Sequence, residues 1–246
     1  MQSIDLNCDL GEGFENDSLL MNYITSANIA CGFHAGSAKT MQQTVAMAVK
    51  KGVAIGAHPG LPDLQNFGRK QMQISPADAY QMTLYQIGAL YGFVKAAGAR
   101  LHHVKLHGAL YNMAAKSSGL AMATAEAVRD FDPSLILYGL AGSEMIKAAE
   151  SIRLKTASEV FADRSYQDDG TLTPRSQTNA LITLENEMTA QVLLMIKHGQ
   201  VKSVNQNIIP IKAETLCLHG DGEHAVAFAR MIHEELQKED IVIKVV

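Results

Sequence analysis

Seven short apolar runs punctuate the chain, at Ile4–Cys8, Asn28–Cys31, Val53–Ala57, His102–Leu106, Leu135–Tyr138, Leu154–Thr156 and Leu216–Leu218, and helical patterns fill most of the intervals. Strands that alternate with helices need crossover connections, so they pair in parallel and carry the helices on their outer face. Most of these runs end in polar residues: Asp9–Glu12 after the first, Gly32–Ser37 after the second, His58–Gly60 after the third, Lys105–Gly108 after the fourth and His219–Gly222 after the last. Packing alone does not collect polar groups at one end of successive strands. A βα-barrel enzyme does, because its site is assembled from the loops that follow the strands. The expected fold is an irregular TIM-like βα-barrel of about seven strands, one domain over residues 1–246.

Helix signals support that frame. Ser75 can cap, Pro76 takes the first helical position and Asp78 the capping-box acid, with Tyr80, Leu84, Ile87, Tyr91 and Val94 on one face and Gly98 as the stop. Met41, Val45, Ala48 and Val49 form a stripe before Gly52, Met188, Val192 and Met195 another before Gly199, and Phe228, Ile232 and Leu236 the last. Glu159–Gln177 has no periodicity and is rich in Asp, Arg, Ser and Gly. A loop of that length in a compact domain serves as a lid, a binding loop or an interface.

Composition excludes several classes. The net charge is −4 and no basic run stands out, so there is no electrostatic case for nucleic acid. Cys8, Cys31 and Cys217 lie scattered in apolar runs, as core residues of a reducing compartment and not as a disulfide framework. Asp5 and Asp9 interrupt any signal-peptide core, and no stretch approaches the ~20 apolar residues of a membrane span. The expectation is a soluble cytoplasmic protein. Neither G-x-G-x-x-G nor a phosphate loop is present, so no nucleotide site is readable by motif.

Period-two parity selects the inward residues. Ile4, Leu6 and Cys8 share one face of the first strand and Asp5, Asn7 and Asp9 the other. Val104 and Leu106 oppose His103, Lys105 and His107, while Leu216 and Leu218 oppose Cys217, His219 and Asp221. If the apolar faces meet the helices, the polar faces look into the barrel. His34 and His58 fall at the same rim. An inward lysine must pair with an acid or serve chemistry, since an unpaired buried charge is very costly. Asp5 and Asn7 lie deeper and are read as partners for buried polar groups.

These loops also carry a resemblance. D-L-N-C-D-L-G-E (Asp5–Glu12), N-I-A-C-G-F-H-A-G (Asn28–Gly36), I-G-A-H-P-G (Ile55–Gly60), N-F-G-R (Asn66–Arg69), H-G-A-L-Y-N (His107–Asn112), E-V-F-A-D-R-S-Y (Glu159–Tyr166) and C-L-H-G-D-G (Cys217–Gly222) resemble the LamB/YcsF family from end to end. Leu106 departs from the family's usual Pro, and Leu61 from its common aromatic. The resemblance implies a barrel similar to the glycoside hydrolase/deacetylase superfamily and an ATP-dependent 5-oxoprolinase reaction, in which 5-oxo-L-proline, ATP and water give L-glutamate, ADP and phosphate. It also implies two partner subunits, B and C, with ATP handled together with them.

Such a site needs a base for water, cationic or N–H donors, and an acid for the leaving nitrogen. Asp9, Glu12, Lys105 and His107 are the catalytic candidates. His34, His58, Arg69, Asp163, Arg164, His219 and Asp221 are the substrate-binding ones, with Arg175 beside them. Two alternatives stay open. Asp9, His34 and His58 resemble the one-acid, two-histidine sets that hold zinc in a metal-dependent amidase or deacetylase. A non-catalytic subunit that presents 5-oxoproline to its partners would keep the glycine-rich pocket and leave Lys105 and His107 replaceable.

Overall fold

The computed structural model describes residues 2–218, 222 and 225–246. In chain order the elements are β1 (Ser3–Leu10), α1 (Asp17–Leu20), β2 (Ser26–Ala30), α2 (Ala38–Lys51), β3 (Ala54–His58), α3 (Pro76–Ala96), β4 (Leu101–Lys105), α4 (Gly108–Ala114) and α5 (Ser118–Phe131). They continue with β5 (Ile136–Leu140), α6 (Glu144–Ser151), β6 (Lys155–Phe161), α7 (Glu185–His198), β7 (Gln200–Lys202), β8 (Ile208–Pro210), β9 (Thr215–Leu218), α8 (Ala225–Lys238) and β10 (Val242–Ile243).

The seven expected strands close a parallel barrel in the order β1-β2-β3-β4-β5-β6-β9, with β9 pairing back onto β1. Three further strands were not expected. The hairpin β7–β8 and the two-residue β10, which pairs with the start of β1, are too short to show a period.

Parity predicted which side chains look inward, and the register bears it out. Paired residues of parallel neighbours point the same way, and the ladder matches Asp9 with Asn28, Gly56 with His103 and Lys105 with Tyr138. Ile4, Leu6 and Cys8 are fully or almost fully buried on the helix side. Inside, the barrel is polar and built in layers. Asp5 accepts hydrogen bonds from Thr25 and Thr215 at 2.6 Å and from Ser26 at 2.7 Å. Asn7 donates to Thr215 at 2.7 Å and accepts from Asn28 at 2.8 Å. His103 stacks on Tyr138 with ring centroids 4.1 Å apart. The space for that imidazole comes from Gly56, because a Cβ there would stand 2.1 Å from His103 Nε2. Asp5 and Asn7 are thus the satisfied buried partners that the sequence suggested.

The helices pack as expected, with two corrections of facing. The capping box Ser75–Asp78 forms, and Gly52 and Gly199 end α2 and α7 in the left-handed conformation. On α3 the buried face is Ala79, Thr83, Gln86, Ile87, Leu90 and Val94, so the stripe is rotated and Tyr91 points outward. Thr83 and Gln86 replace apolar residues there; Gln86 donates to the carbonyl of Gly60 and accepts from its N–H, clamping the loop after β3. Val49 likewise leaves the α2 stripe for solvent. Among the described residues no helix is long and apolar enough to cross a membrane.

The aperiodic segment is not a free loop from Glu159 onward. Strand β6 runs on to Phe161, and the chain then folds over the barrel mouth with Arg164 bridged to Leu181 and Tyr166 to Leu172 and Ser203. Tyr166 is fully buried and its hydroxyl accepts the Phe161 N–H at 2.9 Å. Only the stretch 174–179 at its tip is exposed throughout.

Candidate active site

A cavity of about 460 Å³ opens at the carboxyl ends of the strands, lined among others by Asp9, Glu12, Arg69, Lys105, His107, Tyr111, Phe161, Arg164 and Arg175. That is the end at which βα-barrels place their chemistry. Asp9, Lys105 and His107 stand at the ends of the first and fourth strands on the faces that parity selected, and Glu12 joins them from the loop after β1.

Lys105 is the electrostatic centre. Its Nζ lies 2.9 Å from Asp9 Oδ1, 2.8 Å from Glu159 Oε1, 3.1 Å from Cys217 Sγ and 3.2 Å from Asn7 Oδ1. The Glu159 contact is an ion pair off the hydrogen-bond direction, since neither oxygen of that carboxylate has a hydrogen bond. Burial works against the ammonium, but Asp9, Cys217 and Glu159 outweigh it and hold the Lys105 pKa well above its usual range. Burial likewise works against the Asp9 carboxylate, and His58 and Lys105 hold it well below the carboxylate range. Asp9 also accepts from Asn28 at 2.9 Å. Both charges therefore stand at neutral pH.

Beside them sits a histidine cluster. His58 donates from Nδ1 to the backbone carbonyl of Lys105 at 2.7 Å, which turns its Nε2 towards Asp9 Oδ2 at 3.2 Å and His107 Nδ1 at 2.9 Å. His107 donates from Nε2 to the carbonyl of Phe67 at 2.9 Å, leaving Nδ1 to face His58 and, at 3.3 Å, Glu12 Oε1. To aim that carbonyl, Phe67 adopts φ 56°, a conformation that costs a non-glycine residue energy, and Gly68 follows at φ 62°. A Cβ on Gly68 would stand 2.6 Å from His34 Cβ. His34 stacks flat on His107 with centroids 3.7 Å apart and places Nε2 3.1 Å from Glu12 Oε1. Burial and the neighbouring His58 push His107 down to about 3, so its ring is neutral near neutral pH. One donor atom from each of Glu12, His34, His58 and His107 falls within 4.8 Å of the others, a set that could hold a metal ion.

The sequence candidates divide as follows. Asp9, Glu12, Lys105, His107, Arg69, Arg164 and Arg175 meet at the cavity. His34 and His58 are buried next to Glu12 and His107 and do not themselves line the cavity. Arg164 is nearly buried and donates to the carbonyls of Ala180 and Thr173, so two of its nitrogens organise the covering segment. Asp163 is half-buried beside the cavity and outside its lining. His219 and Asp221 lie outside the described residues.

Two residues were missed. Glu159 is fully buried inside β6, two residues from Phe161 on the same face. Its signal was the period-two pattern Ala157, Glu159, Phe161, hidden because Lys155, Thr156 and Ser158 break up the apolar run. Tyr111 is on α4, its hydroxyl buried without a partner in hydrogen-bond geometry. Burial and then the nearby Glu159 charge push its phenol well above the ordinary range, so it stays protonated.

The LamB/YcsF family model matches residues 4–246. The A subunit of 5-oxoprolinase from Bacillus subtilis (strain 168) is 56% identical over 248 residues, covering 99% of this chain and 96% of that protein. The crystal structure of a lactam utilization protein from Thermus thermophilus superimposes with TM-score 0.93 at 40% identity, covering 99% of this chain and all of that one. A polysaccharide deacetylase from Bacillus cereus shares the fold alone, at TM-score 0.52 and 12% identity, covering 100% of this chain and 92% of that one.

Proposed function

We propose that this chain, which belongs to the LamB/YcsF family, is the lactam-opening A subunit of an ATP-dependent 5-oxoprolinase. It converts 5-oxo-L-proline and water to L-glutamate, with ATP cleaved to ADP and phosphate in concert with partner subunits B and C. The observation that carries this reading is the near full-length identity to the A subunit of a 5-oxoprolinase. The cavity supplies the means, being small, closed behind by paired charges and edged by the cations Arg69, Arg164 and Arg175.

ATP phosphorylates the lactam oxygen and leaves as ADP, and water then attacks the activated ring carbon. The C–N bond breaks to free the amine and leave an acyl phosphate, and a second water releases phosphate to give L-glutamate. Asp9 lines the cavity as a carboxylate and orients the first water. Its low basicity suffices because the carbon is already activated. Lys105 offsets negative charge that develops on the substrate oxygen. The pinned Nε2–H and neutral ring of His107 make it an acceptor and not the acid that the sequence left open. Tyr111 fits the acid's place, since its hydroxyl stays protonated beside the Glu159 charge and its residue borders the cavity. The arginines hold the carboxylate or phosphate through charge-assisted hydrogen bonds.

Two tests arise directly. The isolated chain should form little or no glutamate from 5-oxoproline and ATP, and addition of subunits B and C should restore turnover; robust turnover by the chain alone would refute the division of labour. Tyr111→Phe should lower kcat about 100-fold, the scale of a lost acid–base group. The hydroxyl is buried beside the Glu159 carboxylate, so the melting temperature of the variant, measured alongside, separates a lost acid from a disturbed fold. A variant with normal kcat would return Tyr111 to a packing role.

A further inference from the structure

We propose that Glu12, His34, His58 and His107 form a binding site for one divalent transition-metal ion of the zinc class. Two of the imidazoles have tautomers fixed from outside the cluster. His58 Nδ1 and His107 Nε2 each spend their proton on a backbone carbonyl, that of Lys105 and that of Phe67. The remaining nitrogens therefore present lone pairs, and they face each other across 2.9 Å. Two lone pairs do not approach so closely without a cation or a proton between them. Around the same point the Glu12 carboxylate adds Oε1 at 3.3 Å from His107 Nδ1 and 3.8 Å from His58 Nε2, with His34 Nε2 3.1 Å beyond it. Donors bound at 2.0–2.1 Å to one tetrahedral zinc ion stand about 3.3 Å apart, so these spacings of 2.9–3.8 Å bracket what the ion requires.

The outer contacts are those of a built site. Carbonyls that accept the far N–H of metal-binding histidines fix ring orientation and raise ligand basicity. One of the two carbonyls is delivered here by the strained Phe67. Three imidazoles and one carboxylate suit zinc, cobalt or copper better than magnesium or calcium, which prefer all-oxygen shells. Asp9 is outside this set of four mutually close donors: Lys105 and Asn28 occupy its Oδ1, while its Oδ2 stands 3.2 Å from His58 Nε2 as a neighbour of the site. The ligand set is thus distinct from the Asp9, His34 and His58 trio that the sequence suggested. His34 is the least constrained member, because its Nδ1 has no hydrogen-bond partner.

The test measures binding and not turnover, so its result is independent of the lactam reading. The full chain, stripped with a chelator, is titrated with Zn²⁺ by calorimetry and with Co²⁺ by visible absorption. One equivalent of Zn²⁺ should bind, the Co²⁺ complex should show ligand-field bands of a nitrogen-rich low-coordinate site, and the melting temperature should rise with bound metal. His107→Ala and Glu12→Gln should each weaken binding about 100-fold, and Asp9→Asn should leave the stoichiometry at one. Two substitutions are used because Glu12→Gln keeps the size and shape of a nearly buried side chain should His107→Ala fail to fold. Binding weaker than millimolar in the unaltered chain, or binding undiminished in Glu12→Gln, would overturn the proposal and leave a shared proton to reconcile His58 with His107. Binding lost in Asp9→Asn and kept in Glu12→Gln would overturn the ligand assignment.

Discussion

Lys105→Met should lower kcat by about 10³-fold, as removal of a preorganised cation at developing charge commonly does, and it should destabilise the fold as well. The second effect comes from what the ammonium leaves behind. Asp9 Oδ1 and Glu159 Oε1 stand 2.9 and 2.8 Å from Nζ, and the Glu159 carboxylate is fully buried, with no solvent to fall back on. Breaking a buried pair by deleting one partner costs about 3–5 kcal/mol, because the surviving charge is uncompensated. Adding Glu159→Gln should recover much of the lost melting temperature without recovering kcat, since the excess charge goes but the cation does not return. The pH dependence has a definite sign. Lys105 helps to hold Asp9 below its unfolded pKa, so this contribution is present above the unfolded value and fades as pH falls through the folded one. The stability gap between wild type and Lys105→Met should therefore narrow towards acid. Equal melting temperatures at neutral pH, or a double variant no more stable than the single, would show that Lys105 does not hold these carboxylates.

How much of this was legible follows from the physics of each part. The seven barrel strands were readable because parallel strands buried on both sides leave apolar runs bounded by polar turns. Parity in β1 and β4 then placed Asp9, Lys105 and His107 on one wall. Parity did not reach Glu159, because β6 passes through Thr156 and Ser158, polar residues that interrupt an apolar run without breaking a strand. Its partner Lys105 announced that an acid was needed, yet nothing in a linear pattern says which of 25 acids supplies it. Tyr111 reads as an ordinary helix-face aromatic until the fold turns α4 across the cavity. That His34 and His58 do not line the cavity has the same origin: a rim position fixes height along the barrel, and only packing decides which rim groups stand in front. The tautomers of His58 and His107 depend on two backbone carbonyls, 47 and 40 residues away in sequence. No side-chain motif encodes such a contact.

Asp9→Asn should retain the fold, bind 5-oxoproline with little change in KM and lose about 10²- to 10³-fold in kcat when assayed with subunits B and C. The amide keeps the shape, and its Oδ1 can still accept from Lys105 and Asn28, so the barrel wall stays satisfied. What disappears is the negative charge that faces His58 Nε2 at 3.2 Å and Lys105 Nζ at 2.9 Å. Capture of the substrate's own carboxylate rests on the arginines that edge the cavity, so binding is spared and the loss falls on kcat. An electrostatic role for Asp9 requires more than a single defect. Asp9→Glu, which restores the charge but lengthens the arm by one methylene, should recover only part of the rate, since water orientation is sensitive to displacements of about 1 Å. Full activity in Asp9→Asn would move the water-orienting carboxylate to Glu12. A loss confined to KM would instead make Asp9 a substrate ligand and leave the attacking water without its partner on this wall.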